Sequence, residues 1–172
     1  IIRDALEKAS ACSDVLITSG GVSAGAADYV KDTLEALGQI GFWKIAIRPG
    51  RPLAFGAVGN AAFFGLPGNP VAVMVTFYQF AKPAIRTLSG EAEFPPEPTI
   101  DAVCGDRLRK KPGRIEYYRA ILARDSKGEL AVRPTGSTGS GLLHTMRDAN
   151  CFIILEHDRS TVEPGDTVQV QP

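Results

Sequence analysis

An α/β domain followed by a small all-β, barrel-like domain is the fold class that this 172-residue sequence predicts, and three observations lead to it. A helical apolar spacing over Ile2–Ala11 feeds the run Val15-Leu16-Ile17-Thr18, which reads as a buried parallel strand. The glycine-punctuated stretch from Ser19 to Gly25 then gives way to helical spacing at Val30, Leu34 and Leu37. Beyond the stiff segment Phe94-Pro95-Pro96-Glu97-Pro98 the helical period vanishes, and short β-like runs take over. The expected domains are therefore 1–93 and 94–172.

Element by element, the glycine loop separates the first strand from an amphipathic helix that starts near Asp28 and that Gly38 can end. Phe42–Ile47 and Pro52–Val58 read as strands separated by Pro49-Gly50-Arg51, and Ala61–Leu66 is a third that stops at Pro67-Gly68-Asn69-Pro70. Pro70 suits a helix start, and Val71–Leu88 is a long apolar helix with Pro83 expected to kink or interrupt its last turns. In the second domain the expected strands are Thr99–Cys104, Ile115–Ala123, Leu130–Arg133, Cys151–Leu155 and Thr167–Val170. Asp125–Gly128 and Glu163–Asp166 supply turns between them.

The bulk composition excludes several function classes. Lys plus Arg is 19 and Asp plus Glu is 19, so the whole-chain field offers no general attraction for nucleic acid or an anionic membrane, and any anion site is local. Cys12, Cys104 and Cys151 are scattered without CxxC spacing, which argues against a disulfide framework or a zinc site and for a reducing, cytoplasmic setting. No apolar run approaches the roughly 20 residues of a spanning helix. The start Ile1-Ile2-Arg3-Asp4 carries neither initiator Met nor export signal and reads as the interior of a longer protein. His144 and His157 are isolated from any metal-like pattern.

Chemistry concentrates in the stretch Asp14 to Tyr29. A strand emerges, turns on Gly20-Gly21, passes Ser23 and Gly25, and enters a helix near Asp28. Glycines let backbone N–H groups approach an anion closely, and a helix N-terminus adds roughly half a positive charge. Phosphate, or a pterin-linked phosphate, suits such a pocket at the carboxyl end of a strand. The spacing matches neither GxGxxG nor a P-loop. A tight turn whose glycines serve geometry alone, with Asp28 as helix cap, is the alternative.

Lys44 and Arg48 lie four apart along a predicted strand and so face one side, with Arg51 in the loop beyond; three positive heads could converge there, or simply solvate an exposed strand face. At Leu66-Pro67-Gly68-Asn69-Pro70 a strand again meets a helix, where free N–H groups could reach a ligand. Gly68 and Asn69 are the candidate contacts, and Pro67 and Pro70 hold the shape. Arg107, Arg109, Lys110, Lys111, Arg114, Arg119 and Arg124 form a positive stripe opposed within its interval only by Glu116, without a base-stacking motif that would read as nucleic-acid binding.

Four stretches in order resemble the molybdopterin molybdenumtransferase family, which includes bacterial MoeA proteins and the E domain of gephyrin. They are Ser19-Gly20-Gly21-Val22-Ser23-Ala24-Gly25 with Asp28-Tyr29, Phe42 to Pro52, Gly65 to Pro70, and Pro112-Gly113-Arg114 to Arg119. The resemblance runs from Asp14 to the terminal strand. It implies a three-layer molybdopterin-binding α/β domain, truncated at its front, and an activity that inserts molybdate into adenylylated molybdopterin with release of AMP. It implies Asp28 as an essential acidic residue that helps handle magnesium, molybdate or phosphates, although Mg2+ needs more than one carboxylate. Lys44 and Arg48 become active-site residues, with Arg48 where relatives often carry Lys, and Arg51 lies beside them. Arg119 and Ser140 lie at the edge of a site completed across a homodimer. Contact with other molybdenum cofactor biosynthesis proteins follows from the same resemblance. The chain departs from the family at Ala26, where many relatives carry an acid. It also lacks the central domain's leading strand and helix and two preceding domains, so incomplete catalysis and exposed apolar sheet surface are expected. The alternatives are a molybdopterin adenylyltransferase, which usually lacks the β extension, and a gephyrin-like scaffold that binds a peptide.

Overall fold

The computed structural model describes residues 2–21, 28–91, 97–136 and 144–172, with backbone alone at 28–31, 42 and 144. Its contacts divide the chain into two compact units, one of Ile1–Ile45 with Gly50–Ala92, the other of Ala46–Pro49 with Glu93–Pro172. The fold is mixed α/β, with one open sheet and one closed one.

In the first unit, helix α1 (Ile2–Ser10) leads to strand β1 (Val15–Ser19), and α2 (Asp28–Leu37) runs directly into β2 (Gly38–Lys44). After the two-residue strand β3 (Ile47–Arg48) come β4 (Pro52–Val58), β5 (Ala61–Leu66) and the helical segment Pro70–Leu88. The sheet order is β1-β5-β4-β2, with β1 parallel to β5 and the remaining pairs antiparallel. Period-2 alternation sorts the side chains onto two faces. Leu16, Phe63, Ala54 and Val58 pack with Leu6 and Leu34 of α1 and α2, whereas Phe64, Leu66 and Leu53 pack against Val73, Phe77 and Ala81 of the last helical segment. Burying Phe63 alone stabilises by about 2–3 kcal/mol.

Two expectations about this unit change, and the interruption expected around Pro83 is present. β1 is parallel but only Leu16 is buried, and Ile17 keeps 41% of its surface exposed, because β1 ends the sheet order and pairs only with β5 among the described residues. The predicted strand Phe42–Ile47 instead ends at Lys44. Ile45 N–H donates to Arg51 C=O at 2.8 Å and closes a neck, beyond which residues 46–49 leave as β3. Lys44 and Arg48 therefore lie on different strands of different sheets, and the period-2 inference that they share a face does not hold. The long helix breaks before Pro83, as α3 (Pro70–Thr76), a wide π turn (Phe77–Ala81) and α4 (Lys82–Leu88). Pro83 has no N–H to return to the preceding turn, and Lys82 N–H reaches back to Phe77 C=O.

The second unit holds β6 (Ile100–Cys104), β7 (Ile115–Arg124), β8 (Leu130–Pro134), α5 (His144–Asp148), β9 (Cys151–Leu155) and β10 (Thr167–Gln171). The pairings β7-β8-β6-β10-β9 return to β7, so five strands close into a barrel, with β3 added alongside β7. Closure removes the exposed edges that a small sheet would otherwise present. Inward positions at every second residue fill the interior: Ala102 and Cys104, Tyr118 and Ala120, Val132, Ile153 and Leu155, Val168 and Val170. Just before β9 begins, the Asn150 side chain extends its pairing with β7, accepting from Leu122 N–H at 2.8 Å and donating to Leu122 C=O at 3.0 Å.

The basic stripe of the sequence does not form one solvated face. Lys110 is buried, and its ammonium donates to the carbonyls of Arg159, His157 and Lys111 at 2.9, 3.2 and 3.4 Å. Arg107 pairs with Glu163, and Arg124 donates to Gly128 C=O. Replacing Lys110 by Met leaves three carbonyls without their donor, so Lys110→Met should cost about 1–3 kcal/mol, read as a lower urea midpoint of unfolding. An unchanged midpoint would contradict the clamp.

Candidate functional site

The glycine loop and the Pro67–Pro70 turn are brought together by the parallel pairing of β1 with β5. Val15 through Ser19 stand opposite Ala62 through Leu66 in register, so both strands release the chain at the same level. Gly20 N–H donates to Leu66 C=O at 3.0 Å, and Ser19 Oγ donates to Pro67 C=O at 3.4 Å. Gly20 and Gly21 have φ of 88° and 74°, which L side chains rarely adopt. A Cβ at Gly68 would stand 3.5 Å from Gly20 Cα, so the two loops touch backbone to backbone.

This geometry refines the role of each residue. The Gly20 amide is already engaged, so Gly20 contributes conformation rather than a donor. The expectation that free N–H groups wait at the start of α3 is corrected. Asn69 caps that helix, its Oδ1 accepting from Val71 N–H at 3.1 Å and Ala72 N–H at 3.3 Å, while Val73 N–H donates to Asn69 C=O at 2.9 Å. Pro70 has no N–H to offer. The Asn69 Nδ2 group remains as a side-chain donor at this turn, and Pro67 is buried as part of it. Ser23, Gly25 and Ala26 lie outside the described residues; Asp28 opens α2, its backbone alone being described.

Lys44 and Arg51 are exposed residues flanking the neck of the β2–β4 pair in the first unit. Arg48 belongs to the second unit, on a different strand from Lys44. Its Nη1 lies 3.6 Å from Glu116 Oε2. Glu116 is an inward residue at the start of β7, only 2% exposed, and also receives Arg114 Nε at 3.0 Å and the Tyr118 hydroxyl at 2.9 Å. Sequence reasoning passed over this cluster. Its signal was present, since Glu116 is the lone acid of the basic stripe and shares strand parity with Tyr118 and Ala120.

Arg119 faces the other side of β7, half-buried, and burial lowers its pKa from the ordinary arginine value. Its carbonyl accepts from Thr135 N–H at 2.9 Å, and Thr135 Oγ1 also donates to Thr145 C=O. Ser140 lies outside the described residues. At the opposite, amino-terminal ends of β1 and β5 lies a depression lined by Ser10, Cys12, Asp14 and Asn60. It holds an acid and no base, which disfavours an anion. Among the described residues no three His, Cys, Asp or Glu side chains gather as a metal site, and no helix is long and apolar enough to cross a membrane.

Residues 1–87 match the family described as probable molybdopterin binding domain, and residues 101–172 match the MoeA C-terminal region, domain IV. The chain is 45% identical over 160 residues to a molybdopterin molybdenumtransferase of Haemophilus influenzae, covering 93% of this chain and 40% of that protein. It is 33% identical to a gephyrin of Dictyostelium discoideum, covering 98% of this chain and 26% of that protein. Among solved structures, a molybdenum cofactor biosynthesis protein from Pyrococcus furiosus superposes with a TM-score of 0.72 at 29% identity, over 98% of this chain and 52% of that one. A molybdopterin biosynthesis MoeA protein from Pyrococcus horikosii gives 0.75 at 26% identity, over 98% of this chain and 39% of that one. The chain thus spans about 40% of the length of the molybdenumtransferases it matches.

Tyr118 gives the barrel a defined alkaline response. Burial first, then the hydrogen bond and negative charge of Glu116, push its hydroxyl up to about 12, against a smaller opposing pull from Arg48 and Arg114. The folded state holds this proton more tightly than the unfolded chain, whose tyrosine titrates near 10. The stabilisation is therefore complete below about pH 10 and lost as pH rises towards 12. Urea midpoints measured from pH 9 to 12 should fall more steeply for the parent than for Tyr118→Phe; parallel curves would contradict the assignment.

Proposed function

Because the chain belongs to the molybdopterin-binding domain family, carrying the MoeA C-terminal region behind that domain, we propose that it works in molybdenum cofactor biosynthesis as part of a molybdopterin molybdenumtransferase. The reaction proposed is insertion of molybdate into adenylylated molybdopterin with release of AMP. The observation that supports this reading best is the backbone contact of Gly20 with Gly68 at the carboxyl ends of two parallel strands. A backbone contact without side chains would let a phosphate-bearing ligand lie against main chain, at the carboxyl ends of strands where open α/β folds bind ligands.

In the proposed mechanism, Gly21, Ser23 and Gly25 supply amide or hydroxyl donors to the ligand's phosphates at the entrance to α2, where the helix dipole favours negative charge. Gly20 and Gly68 provide the close approach, Pro67 and Pro70 hold the second turn, and Asn69 Nδ2 adds a donor. Lys44 and Arg51, at the rim of the same unit, bring positive charge to molybdate or to the phosphate that leaves with AMP. Arg48 and Arg119 are proposed as oxyanion-binding side chains of the second unit, with Ser140 as a further ligand contact. Bound magnesium would supply charge neutralisation, and since the described residues gather no cage of their own, the protein's proposed share is the single carboxylate Asp28, the rest being phosphate oxygen and water. A cytoplasmic homodimer that meets other proteins of the same biosynthesis completes the proposal.

The test is turnover of adenylylated molybdopterin with magnesium and molybdate by a full-length version of the protein and its Asp28→Ala and Lys44→Ala variants. Each substitution should lower kcat/KM at least tenfold, a loss of about 1.4 kcal/mol of transition-state stabilisation. Equal turnover by all three would reject the site.

A further inference from the structure

A carboxylate as enclosed as that of Glu116 is costly to hold in charged form unless its partners return the lost hydration. Here the partners are two guanidinium groups and a phenol, all gathered on one side chain. Arg114 Nε meets Oε1 at 3.0 Å, while Tyr118 donates to Oε2 at 2.9 Å and Arg48 Nη1 stands 3.6 Å from the same oxygen. Arg48 reaches this point because β3 pairs in parallel with β7, placing Arg48 opposite Glu116 in register. The acid is 2% exposed, but Arg48 and Arg114 keep 45% and 44% of their side-chain surface in solvent. Arg114 engages Glu116 through Nε, and a guanidinium carries further N–H donors on its two terminal amino groups.

Two positive charges around one negative charge leave the cluster with a net positive charge, presented by two planar forks whose inner sides are fixed. Such forks grip oxyanions in a bidentate manner that a mobile ammonium cannot reproduce. Buried ion pairs are weak contributors to stability, and apolar replacements often serve a fold as well or better. A buried acid holding half-exposed arginines is better explained by orientation than by stability.

We propose that Glu116 is a positioning residue, a buried carboxylate that fixes the guanidinium groups of Arg48 and Arg114 as a paired receptor for a tetrahedral oxyanion of the molybdate or phosphate class. It rests on the reading of Arg48 as an oxyanion-binding residue. Glu116 itself does not touch the ligand and acts through the arginines.

The sign of one substitution separates this from simple electrostatics. Glu116→Gln removes a negative charge from beside two arginines, so if charge alone mattered, anion binding would strengthen. Positioning requires the opposite. The measurement is the dissociation constant of the 172-residue chain for molybdate and for inorganic phosphate by titration calorimetry, in the parent, Glu116→Gln, Arg48→Ala and the double variant. Glu116→Gln should weaken binding of at least one anion about tenfold, and should add nothing in the Arg48→Ala background. Glu116→Asp, which keeps the charge, should recover part of the loss.

Unchanged or tighter binding by Glu116→Gln would overturn the proposal, as would an equal loss with and without Arg48. If Arg48→Ala itself binds both anions as the parent does, the underlying reading of Arg48 fails instead. Should Glu116→Gln not fold, Tyr118→Phe loosens the same carboxylate by one hydrogen bond. A two- to threefold weakening that disappears in Arg48→Ala supports positioning, and no weakening overturns it.

Discussion

The parallel register between β1 and β5 is the constraint on which the first unit depends. It sets Ser19 opposite Leu66, so that two loops far apart in sequence begin at the same height and meet through glycine. Any larger residue at Gly20 would have to adopt a positive φ, and any at Gly68 would put carbon against the facing backbone. The same register places Leu16 beside Phe63 under α1 and α2, and sets Ile17 beside Phe64 on the opposite face. Sheet packing and the opening at the strand ends are thus fixed by one set of hydrogen bonds.

In the second unit the governing constraint is closure. A five-stranded barrel has a narrow interior, and Ala, Cys and branched aliphatic side chains fill most of its described inward positions beside Tyr118. Glu116 breaks that rule at the start of β7 and is tolerated because Arg48, Arg114 and Tyr118 meet it there. Lys110, in the segment between β6 and β7, is another buried charge, satisfied by three backbone carbonyls rather than by an acid. Both charges sit where the chain is pinned by polar contacts rather than by apolar packing.

Local signals carried most of what the sequence disclosed. The helix beginning at Asp28, the strand ending at Leu66 and the alternating runs of the barrel follow from neighbours a few residues apart, and the structure contains them. Non-local pairing was not legible. Nothing in the spacing of Lys44 and Arg48 announces that Ile45 closes a neck with Arg51, and a period-2 inference is valid only within one continuous strand. Nor could turn chemistry say that the first amides of α3 are taken by Asn69, because a cap and an anion compete for the same N–H groups. The candidate site was legible as two loops, and their contact was not.

The central claim is that the ligand rests against the backbone where Gly20 meets Gly68. Amide chemical shifts recorded while adenylylated molybdopterin is added to the isotopically labelled protein address it most directly. The largest shifts should fall on Gly20, Gly21 and Gly68. Shifts centred instead on Cys12, Asp14 and Asn60, at the other end of the same two strands, would contradict it.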